Sequence, residues 1–349
     1  MKSRPSIVIL ICLMFAAGSM TLYGQKVGTS SLQFLKVMPT ARATAMGDAY
    51  STLAQGSDAV FWNPAGIAGS SSIEVAGTFI VWLFDSRQSA LSSVFPIGDW
   101  GIAGLQLQYV DYGDIPVTRA DRLGFVGSGA DYHYNPGLTG ETFSPTSYVI
   151  GLSFARQLTD KFAAGITAKF VDESLWSESE VTVMNPSTGR AEVVNTFARM
   201  MLFDFGMQYN TGYRTIRLGV AIQNFGGQVK FAQEAYPAPL TFRIGTAADI
   251  VGQNALFAES ELTRLTFAYD LFQPNDYAQQ MHVGAEFTFN EAVYLRGGYK
   301  LFYDNDSFTA GFGVRQTVVE IPLGIDYSYG AMGDYLPSVH RISVGVKFK

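Results

Sequence analysis

The feature that most constrains the fold of this chain is a series of segments in which large apolar residues alternate with small or polar ones. Residues 341–348 read RISVGVKF, residues 216–223 read IRLGVAIQ and residues 265–271 read LTFAYDL. Successive side chains of a β-strand point to opposite faces, so each segment has one apolar face and one small or polar face. The same alternation is present in residues 162–170, 201–209, 240–245, 281–289, 308–315 and 321–329. Counting these and weaker segments predicts about fourteen strands.

Charged residues in these segments lie on the face opposite the large apolar residues. A charge at mid-bilayer on the lipid face of a barrel costs about 2–4 kcal/mol, whereas a soluble sandwich carries a charged exterior. Arg156 and Asp172 are exceptions, but they sit at strand ends. The distribution therefore predicts an all-β transmembrane fold, an antiparallel outer-membrane barrel of about fourteen strands. The charged residues of the predicted inner face are Lys169, Asp204, Arg217, Arg243, Asp270, Glu286, Arg296, Arg315, Asp326 and Arg341.

The start of the chain reads as a secretory signal peptide, residues 1–24. Lys2 and Arg4 precede the apolar run 7–20, and Gly24 offers a small residue at the cleavage point. The single cysteine, Cys12, lies within this run, so the exported chain has no disulfide and no thiol ligand for a metal. A net charge of −6 gives no reason to expect nucleic-acid binding.

Connection lengths predict the orientation in the membrane. In outer-membrane barrels the periplasmic turns are short and the extracellular loops are long. Short and long connections mostly alternate here, and 252–263 is a longer connection where a short one is expected. The pattern predicts that both termini are periplasmic. The short connections are 98–99, 158–160, 211–215 and 290–291, and the long ones are 113–145, 174–196, 226–239 and 330–339.

Residues 25–70 precede the barrel, 71–349, and do not alternate. Residues 40–53 are rich in Ala and Met at helical spacing. A barrel of about fourteen strands has a lumen too wide for its own side chains to fill. The segment therefore predicts a partly helical N-terminal plug.

The plug carries a family resemblance. Phe34-Leu35-Lys36, the ARATAMGDA run of residues 41–49 and the Asn-Pro-Ala-Gly element of residues 63–66 resemble the N-terminal signature of the PorV/PorQ family, which covers residues 33–69 here. Those outer-membrane proteins are similar in fold to the FadL fatty-acid transporters, with which the Asn-Pro-Ala element is shared. The resemblance implies a FadL-like fourteen-stranded barrel with a plug in a Bacteroidota-like bacterium. It also implies a role in type IX secretion.

The candidate site residues begin in this plug. Asn63-Pro64-Ala65-Gly66 is either a rigid turn into the first strand or a ligand-responsive hatch, and the two are compatible. Arg42 in the apolar plug needs an anionic partner, since an unpaired buried charge is very costly. A ligand carboxylate is one alternative, and lumen carboxylates are the other. The plug and hatch residues are Arg42, Met46, Gly47, Asn63, Pro64, Ala65 and Gly66, and the possible pinning carboxylates are Asp204, Asp270, Glu286 and Asp326.

A second candidate region is the long connection 113–145. Exposed aromatic side chains in such a loop are typical contact residues for a partner, although they could equally fold over the barrel mouth. These residues are Phe125, Tyr132, His133, Tyr134 and Phe143.

The chain shows no nucleophile elbow, zinc motif or phosphate loop, so we expect neither an enzyme nor a cofactor or metal. The leading hypothesis is a PorV/PorQ-type partner or cargo shuttle in type IX secretion or surface assembly, embedded in outer-membrane lipid. Its partners would be secretion-apparatus subunits or secreted cargo. The alternative is passive, FadL-like transport of a hydrophobic ligand.

Overall fold

The computed structural model of the protein describes residues 27–176, 180–184, 188–231 and 234–348. The predicted signal peptide, 1–24, lies outside these residues. Two short α-helices, α1 (Ala41–Ala45) and α2 (Ala59–Trp62), precede the strands. Short 3-10 helices occupy Gln33–Lys36, Gly56–Asp58, Pro64–Gly69, Leu83–Asp85, Gly98–Trp100 and Gly129–Asp131. None of the described helices is long and apolar enough to cross a membrane.

The described strands are numbered in chain order. They are β1 (Ile73–Val81), β2 (Arg87–Pro96), β3 (Ile102–Asp111), β4 (Ile115–Val126), β5 (His133–Phe143), β6 (Thr146–Gln157), β7 (Phe162–Ser174), β8 (Glu180–Met184), β9 (Ala191–Asn195), β10 (Phe197–Asn210), β11 (Arg217–Gly226), β12 (Gln228–Lys230), β13 (Ala235–Pro237), β14 (Thr241–Val251), β15 (Thr263–Pro274), β16 (Gln280–Phe289), β17 (Val293–Leu301), β18 (Phe308–Val318), β19 (Ile321–Gly330) and β20 (Val339–Phe348).

Fourteen of these strands form one closed antiparallel barrel. Its order is β1-β2-β3-β6-β7-β10-β11-β14-β15-β16-β17-β18-β19-β20, and β20 pairs with β1 to close the sheet. Closure leaves no free sheet edge, which is what a strand-built membrane protein requires. The predicted fold class and strand number are confirmed.

The two faces of the barrel follow the predicted register. Val344 is 43% exposed on the outside, whereas its neighbour Ser343 is 6% exposed on the inside. In β11, Ala221 is fully buried against the plug, and Leu218 points outward. The charged residues expected in the lumen, such as Arg243 and Asp270, are buried on the inner face.

The connections divide the barrel into two unlike ends. At one end, which we call the long-connection end, three connections contain two-stranded hairpins, β4–β5, β8–β9 and β12–β13. The sequence predicts polar loops in these regions, whereas in the structure each region forms a two-stranded hairpin. The hairpins leave the rim from neighbouring strand pairs, β3 and β6, β7 and β10, and β11 and β14. The other end, the short-connection end, has the turns 97–101, 158–161 and 290–292.

The plug fills the lumen between these ends. Its helix α1 packs against β17 to β20, and Pro64–Gly69 packs against β6, β7 and β10. Trp62, Tyr50 and Met46 are fully buried within it. The helical spacing of residues 40–53 gives a helix only over Ala41–Ala45, because the backbone turns at Gly47 and Asp48, both with φ of 64°.

The two ends of the described chain lie at opposite ends of the barrel, which corrects the prediction that both termini are periplasmic. The amide of Ser31 donates to the carbonyl of Pro237, in the β12–β13 connection at the long-connection end. Phe348, in contrast, ends β20 beside Ile73 at the short-connection end. The sequence could not show this because a plug has no strand pairing to fix its direction.

Candidate functional site

Three glycine pairs on the inner wall bring the plug backbone into close contact with the barrel. Each pair joins neighbouring strands at the same register: Gly165 with Gly206, Gly219 with Gly245, and Gly284 with Gly298. We call them the glycine seats. A Cβ at any of these positions would lie less than 3.0 Å from a plug atom. The distance would be 2.1 Å between such a Cβ on Gly298 and the backbone nitrogen of Gly47.

The Asn63-Pro64 element lies in the first glycine seat, and both polar atoms of the Asn63 side chain are hydrogen-bonded. The Asn63 Nδ2 donates to the carbonyl of Ser51 at 2.9 Å and to that of Met207, in the barrel wall, at 3.1 Å. Its Oδ1 accepts from the amide of Ala65 at 3.1 Å and so caps the helix Pro64–Gly69. The element therefore has the geometry of a capped turn. Movement as a hatch stays a prediction.

Gly66 and the Met46-Gly47 pair make equally close contacts. A Cβ on Gly66 would stand 2.1 Å from the carbonyl oxygen of Ala54, so only glycine fits there without a shift. Met46 is fully buried, and its backbone lies against Gly284 and Gly298. The plug residues identified in the sequence are thus brought together at the wall of the lumen.

Arg42 pairs with one of the carboxylates suggested for it, Glu286. Its Nη2 lies 2.8 Å from Oε1 and its Nε 2.9 Å from Oε2. Glu286 also accepts from Arg296, which in turn pairs with Asp326 at 2.8 Å. Arg315 adds a further pair with Asp326 at 2.6 Å. This chain of alternating charges links the plug to β16, β17, β18 and β19.

The other suggested carboxylates have different partners. Asp270 accepts from the plug amides of Tyr50 and Ser51, at 3.1 and 2.9 Å. Asp204 instead pairs with Lys169 of β7 at 2.7 Å, within the barrel wall. Of the four suggested carboxylates, Glu286 and Asp270 bond to the plug directly.

A cavity of about 760 Å³ opens at the long-connection end, and we call it the long-end vestibule. Its floor is formed by Asp48 of the plug with the wall residues Arg243, Lys300 and Arg341. Aromatic side chains, among them Trp82 and Phe272, line its sides. Such a lining can hold a ligand that has a polar head group and an apolar or extended body.

A second cavity, of about 580 Å³, lies on the opposite side of the plug. This short-end vestibule is lined mostly by polar and charged residues, including Asp58, Glu74, Arg264 and Arg315. The plug separates the two cavities, since Arg42 lines the short-end vestibule and Asp48 the long-end one.

The plug is also held at the mouth by a cluster that the sequence did not single out. Asp276, in the β15–β16 connection, bonds to Lys36 at 2.5 Å and accepts hydrogen bonds from Ser30 and Gln33. Burial disfavours the ionised carboxylate, but the hydrogen bonds from Lys36 and Ser30 outweigh it and lower the pKa of Asp276. In the sequence, Lys36 of the plug signature was the only indication of this cluster.

The aromatic residues of the connection 113–145 separate into two groups. Phe125 stacks on Tyr132, with ring centroids 5.2 Å apart, and meets Tyr134 edge-on at 5.4 Å. All three are more than half exposed near the tip of the β4–β5 hairpin. His133 is beside them, whereas Phe143 packs on Trp176 at 4.4 Å. The exposed cluster is therefore Phe125, Tyr132 and Tyr134.

Within the described ranges, no group of three or more His, Cys, Asp or Glu side chains could hold a metal ion.

Comparison with known proteins gives one family match and several similar structures. A family model described as "Type IX secretion system membrane protein PorP/SprF" matches residues 134–346, more than half of the chain. No curated protein sequence matches the chain. The family match and the closed barrel locate the protein in the outer membrane.

Two of the similar structures share the fold. The toluene transporter TodX of Pseudomonas putida has a TM-score of 0.54 at 16% identity, over 87% of this chain and 96% of its own. The monoaromatic hydrocarbon channel CymD has a TM-score of 0.52 at 12% identity, over 89% of this chain and 97% of its own. At such low identity the likeness shows the barrel fold alone.

Proposed function

We propose that this chain, which belongs to the PorP/SprF family of type IX secretion system membrane proteins, is a partner protein of that system. It would bind secretion-apparatus subunits or cargo at its long-connection end. The observation that carries the proposal is the combination of a lumen occupied by the plug with three protruding hairpins on one half of the rim. Because the plug packs closely on the glycine seats, we place the activity on the exposed surface of the barrel and not in its lumen.

The exposed aromatic cluster supports this assignment. Phe125 stacks on Tyr132 and meets Tyr134 edge-on near the tip of the hairpin with the longest strands, yet more than half of each side chain is exposed. Aromatic residues are enriched where a few side chains carry most of a binding energy. The charged residues inside the barrel give no comparable support for a catalytic site. We therefore propose that the protein is not an enzyme.

A shuttle role of the PorV/PorQ type is the finer form of this proposal. The plug signature that resembles PorV/PorQ occupies residues 33–69, whereas the family match begins at residue 134. The two observations therefore concern different parts of the chain. They agree on type IX secretion, and the branch within it is proposed from the plug residues only.

Affinity purification tests the partner role. A tag after Lys349 allows the full protein to be recovered from outer membranes in mild detergent. We expect apparatus subunits or cargo to be recovered with it, and to be lost when residues 114–144 are replaced by a two-residue turn. Shortening the connection 253–261 at the short-connection end is the matched control and should leave recovery unchanged. Equal recovery with both shortened variants would contradict a role for the hairpin.

A second candidate function is passive uptake of a hydrophobic small molecule. The shared fold of a toluene transporter and a monoaromatic hydrocarbon channel favours it, as do the aromatic walls of the long-end vestibule. Uptake would require the plug to move. Deleting residues 40–53 should then give a large, steady conductance in planar bilayers. In the purified wild type, a bound lipid without protein partners would support this candidate over the first.

A further inference from the structure

The floor of the long-end vestibule holds more cationic side chains than carboxylates to pair with them. Lys300 lies 2.8 Å from Asp48 and 3.2 Å from Asp306, so both of these carboxylates are bonded to the same lysine. Arg243 and Arg341 line the same cavity. Neither arginine has a carboxylate within salt-bridge distance in the part of the chain that the structure describes.

Both arginines are nevertheless buried. Arg243 is 3% exposed and Arg341 is 6% exposed, and the Nε of each has no hydrogen-bond partner among the described residues. Their guanidinium groups lie against aromatic rings, 4.2 Å from Phe272 for Arg243 and 5.5 Å from Trp82 for Arg341. Such contacts stabilise a cation far less than an ion pair does. The Nη1 of Arg243 also donates to the backbone carbonyl of Asp48 at 3.4 Å and lies 3.3 Å from the Nδ1 of His282, but these groups carry no full negative charge. A buried cation without a directly paired carboxylate is costly, so an anion that enters the cavity would be stabilised there.

The walls of the vestibule continue into the hairpins. Ile115, where β4 begins, lines the cavity together with Pro145 and Leu175, which flank the β4–β5 and β8–β9 connections. The surface therefore runs from the charged floor to the exposed hairpins without interruption. Tyr277, Gln280 and Tyr303 place polar side chains along this surface.

The floor ends against the plug. Asp48 follows Gly47, which is held in the glycine seat of Gly284 and Gly298. The plug therefore forms the inner end of the vestibule.

We infer that the long-end vestibule is a socket for an acidic side chain on an extended segment of a protein partner, with Arg243 and Arg341 as its anion-binding groups. The inference rests on the proposed partner role and states the chemistry by which the partner is recognised. An extended segment can reach the floor while the rest of the partner stays on the hairpins, and the two arginines supply the charge complementarity.

Site-specific photocrosslinking tests the socket in the full-length protein, in cells that make the secretion apparatus. The photoreactive amino acid p-benzoylphenylalanine replaces Met332, which lines the vestibule. Irradiation should link this position to a partner segment that contains Asp or Glu, identified by mass spectrometry. Arg341→Gln and Arg243→Gln should each reduce the crosslink by about tenfold, the effect of losing a charged hydrogen bond. Arg341→Lys should restore part of it.

Arg264→Gln is the matched control, because it removes an arginine that lines the opposite vestibule. It should leave the crosslink unchanged. Heat-modifiable migration in gels shows that each variant has a folded barrel, and the two independent glutamine variants guard against misfolding of either.

The outcomes separate the socket from the partner role. Partner recovery through the hairpins without a crosslink at Met332 overturns the socket and leaves the partner role intact. A crosslinked segment without acidic residues, a crosslink to a free fatty acid, or equal yields in all variants also overturns it. Absence of both partner recovery and crosslink overturns the two together.

Discussion

Arg42 of the plug and Glu286 of β16 form a two-point ion pair, with nitrogen–oxygen distances of 2.8 and 2.9 Å. The same carboxylate accepts from Arg296 at 2.6 Å, so it holds one cation of the plug and one of the wall. The Arg42 and Glu286 side chains are 13% and 2% exposed. This pair is one of three charged links between the plug and the barrel among the described residues, together with Asp48–Lys300 and Lys36–Asp276, whereas the glycine seats give the close packing.

Replacing Glu286 by Gln should destabilise the protein strongly. The change leaves two buried cations with one carboxylate fewer, and breaking such a pair costs about 3–5 kcal/mol. Urea unfolding of the protein in lipid bilayers measures the loss. Asp121→Asn is the control, because Arg119 and Asp121 are 3.6 Å apart and both well exposed, and it should cost about 0–1 kcal/mol. Equal effects of the two changes would contradict the role given to Glu286.

The register of β11 predicts opposite effects for two adjacent residues. Val220→Arg places a charge on the outer, lipid-facing surface and should lower the free energy of unfolding by about 2–4 kcal/mol. Ala221→Arg places it against the plug, because Ala221 is fully buried on the inner face. Its main effect should be a raised conductance in planar bilayers. Similar tolerance of both substitutions would mean that the register is wrong.

A single methyl group on the third glycine seat should dislodge the plug. In Gly298→Ala the new Cβ would stand 2.1 Å from the backbone nitrogen of Gly47, so the plug must shift at a cost of about 1–3 kcal/mol. We expect a lower unfolding midpoint and a measurable conductance. In Gly345→Ala the Cβ would meet Ala76 at an ordinary 3.6 Å, and this control should behave as the wild type. If Gly298→Ala changes neither the unfolding midpoint nor the conductance, the plug is not held at this seat.

Cysteine labelling tests the orientation in whole cells. Gly129 lies at the tip of the β4–β5 hairpin and Val27, 65% exposed, starts the described chain. Cysteine at either position should react with a membrane-impermeant thiol reagent, because both belong to the long-connection end, which we expect outside. Cysteine at Tyr213, in a turn of the short-connection end, should react only after lysis. Labelling of Tyr213→Cys alone in intact cells would reverse the orientation.

The lowered pKa of Asp276 predicts release of the N-terminal segment in acid. A carboxylate whose pKa is lower in the folded state stabilises that state above its unfolded pKa of about 3.9, and this contribution is lost as the pH falls through the folded value. A bimane probe on Ser31→Cys should therefore report solvent exposure only below about pH 4. Asp276→Asn should remove this pH dependence. An unchanged emission of the wild type down to pH 2 would contradict it.

The sequence alone determined the class of the fold. Alternation in segments such as 341–348 requires strands with two unlike faces, and the confinement of charge to one face requires that the other meet lipid. Strand number, register and the inward position of residues such as Arg243 and Asp270 follow from this period of two. A strand pairs with its neighbours, so its local pattern already contains most of its environment.

The tertiary structure decided what the plug does. Residues 40–53 have helical spacing, but the helix stops at Ala45 because Gly47 must turn onto the seat formed by Gly284 and Gly298. The choice of Glu286 for Arg42, and the run of the plug towards Asp276 at the mouth, depend on groups some 240 residues away in the chain. Local sequence fixes the period of a strand, but it contains nothing about which distant surface a non-repeating segment will be packed against. The packing of such a segment is decided only in the closed barrel, whose wall presents glycines without side chains, charged residues for pairing and a lumen of fixed width.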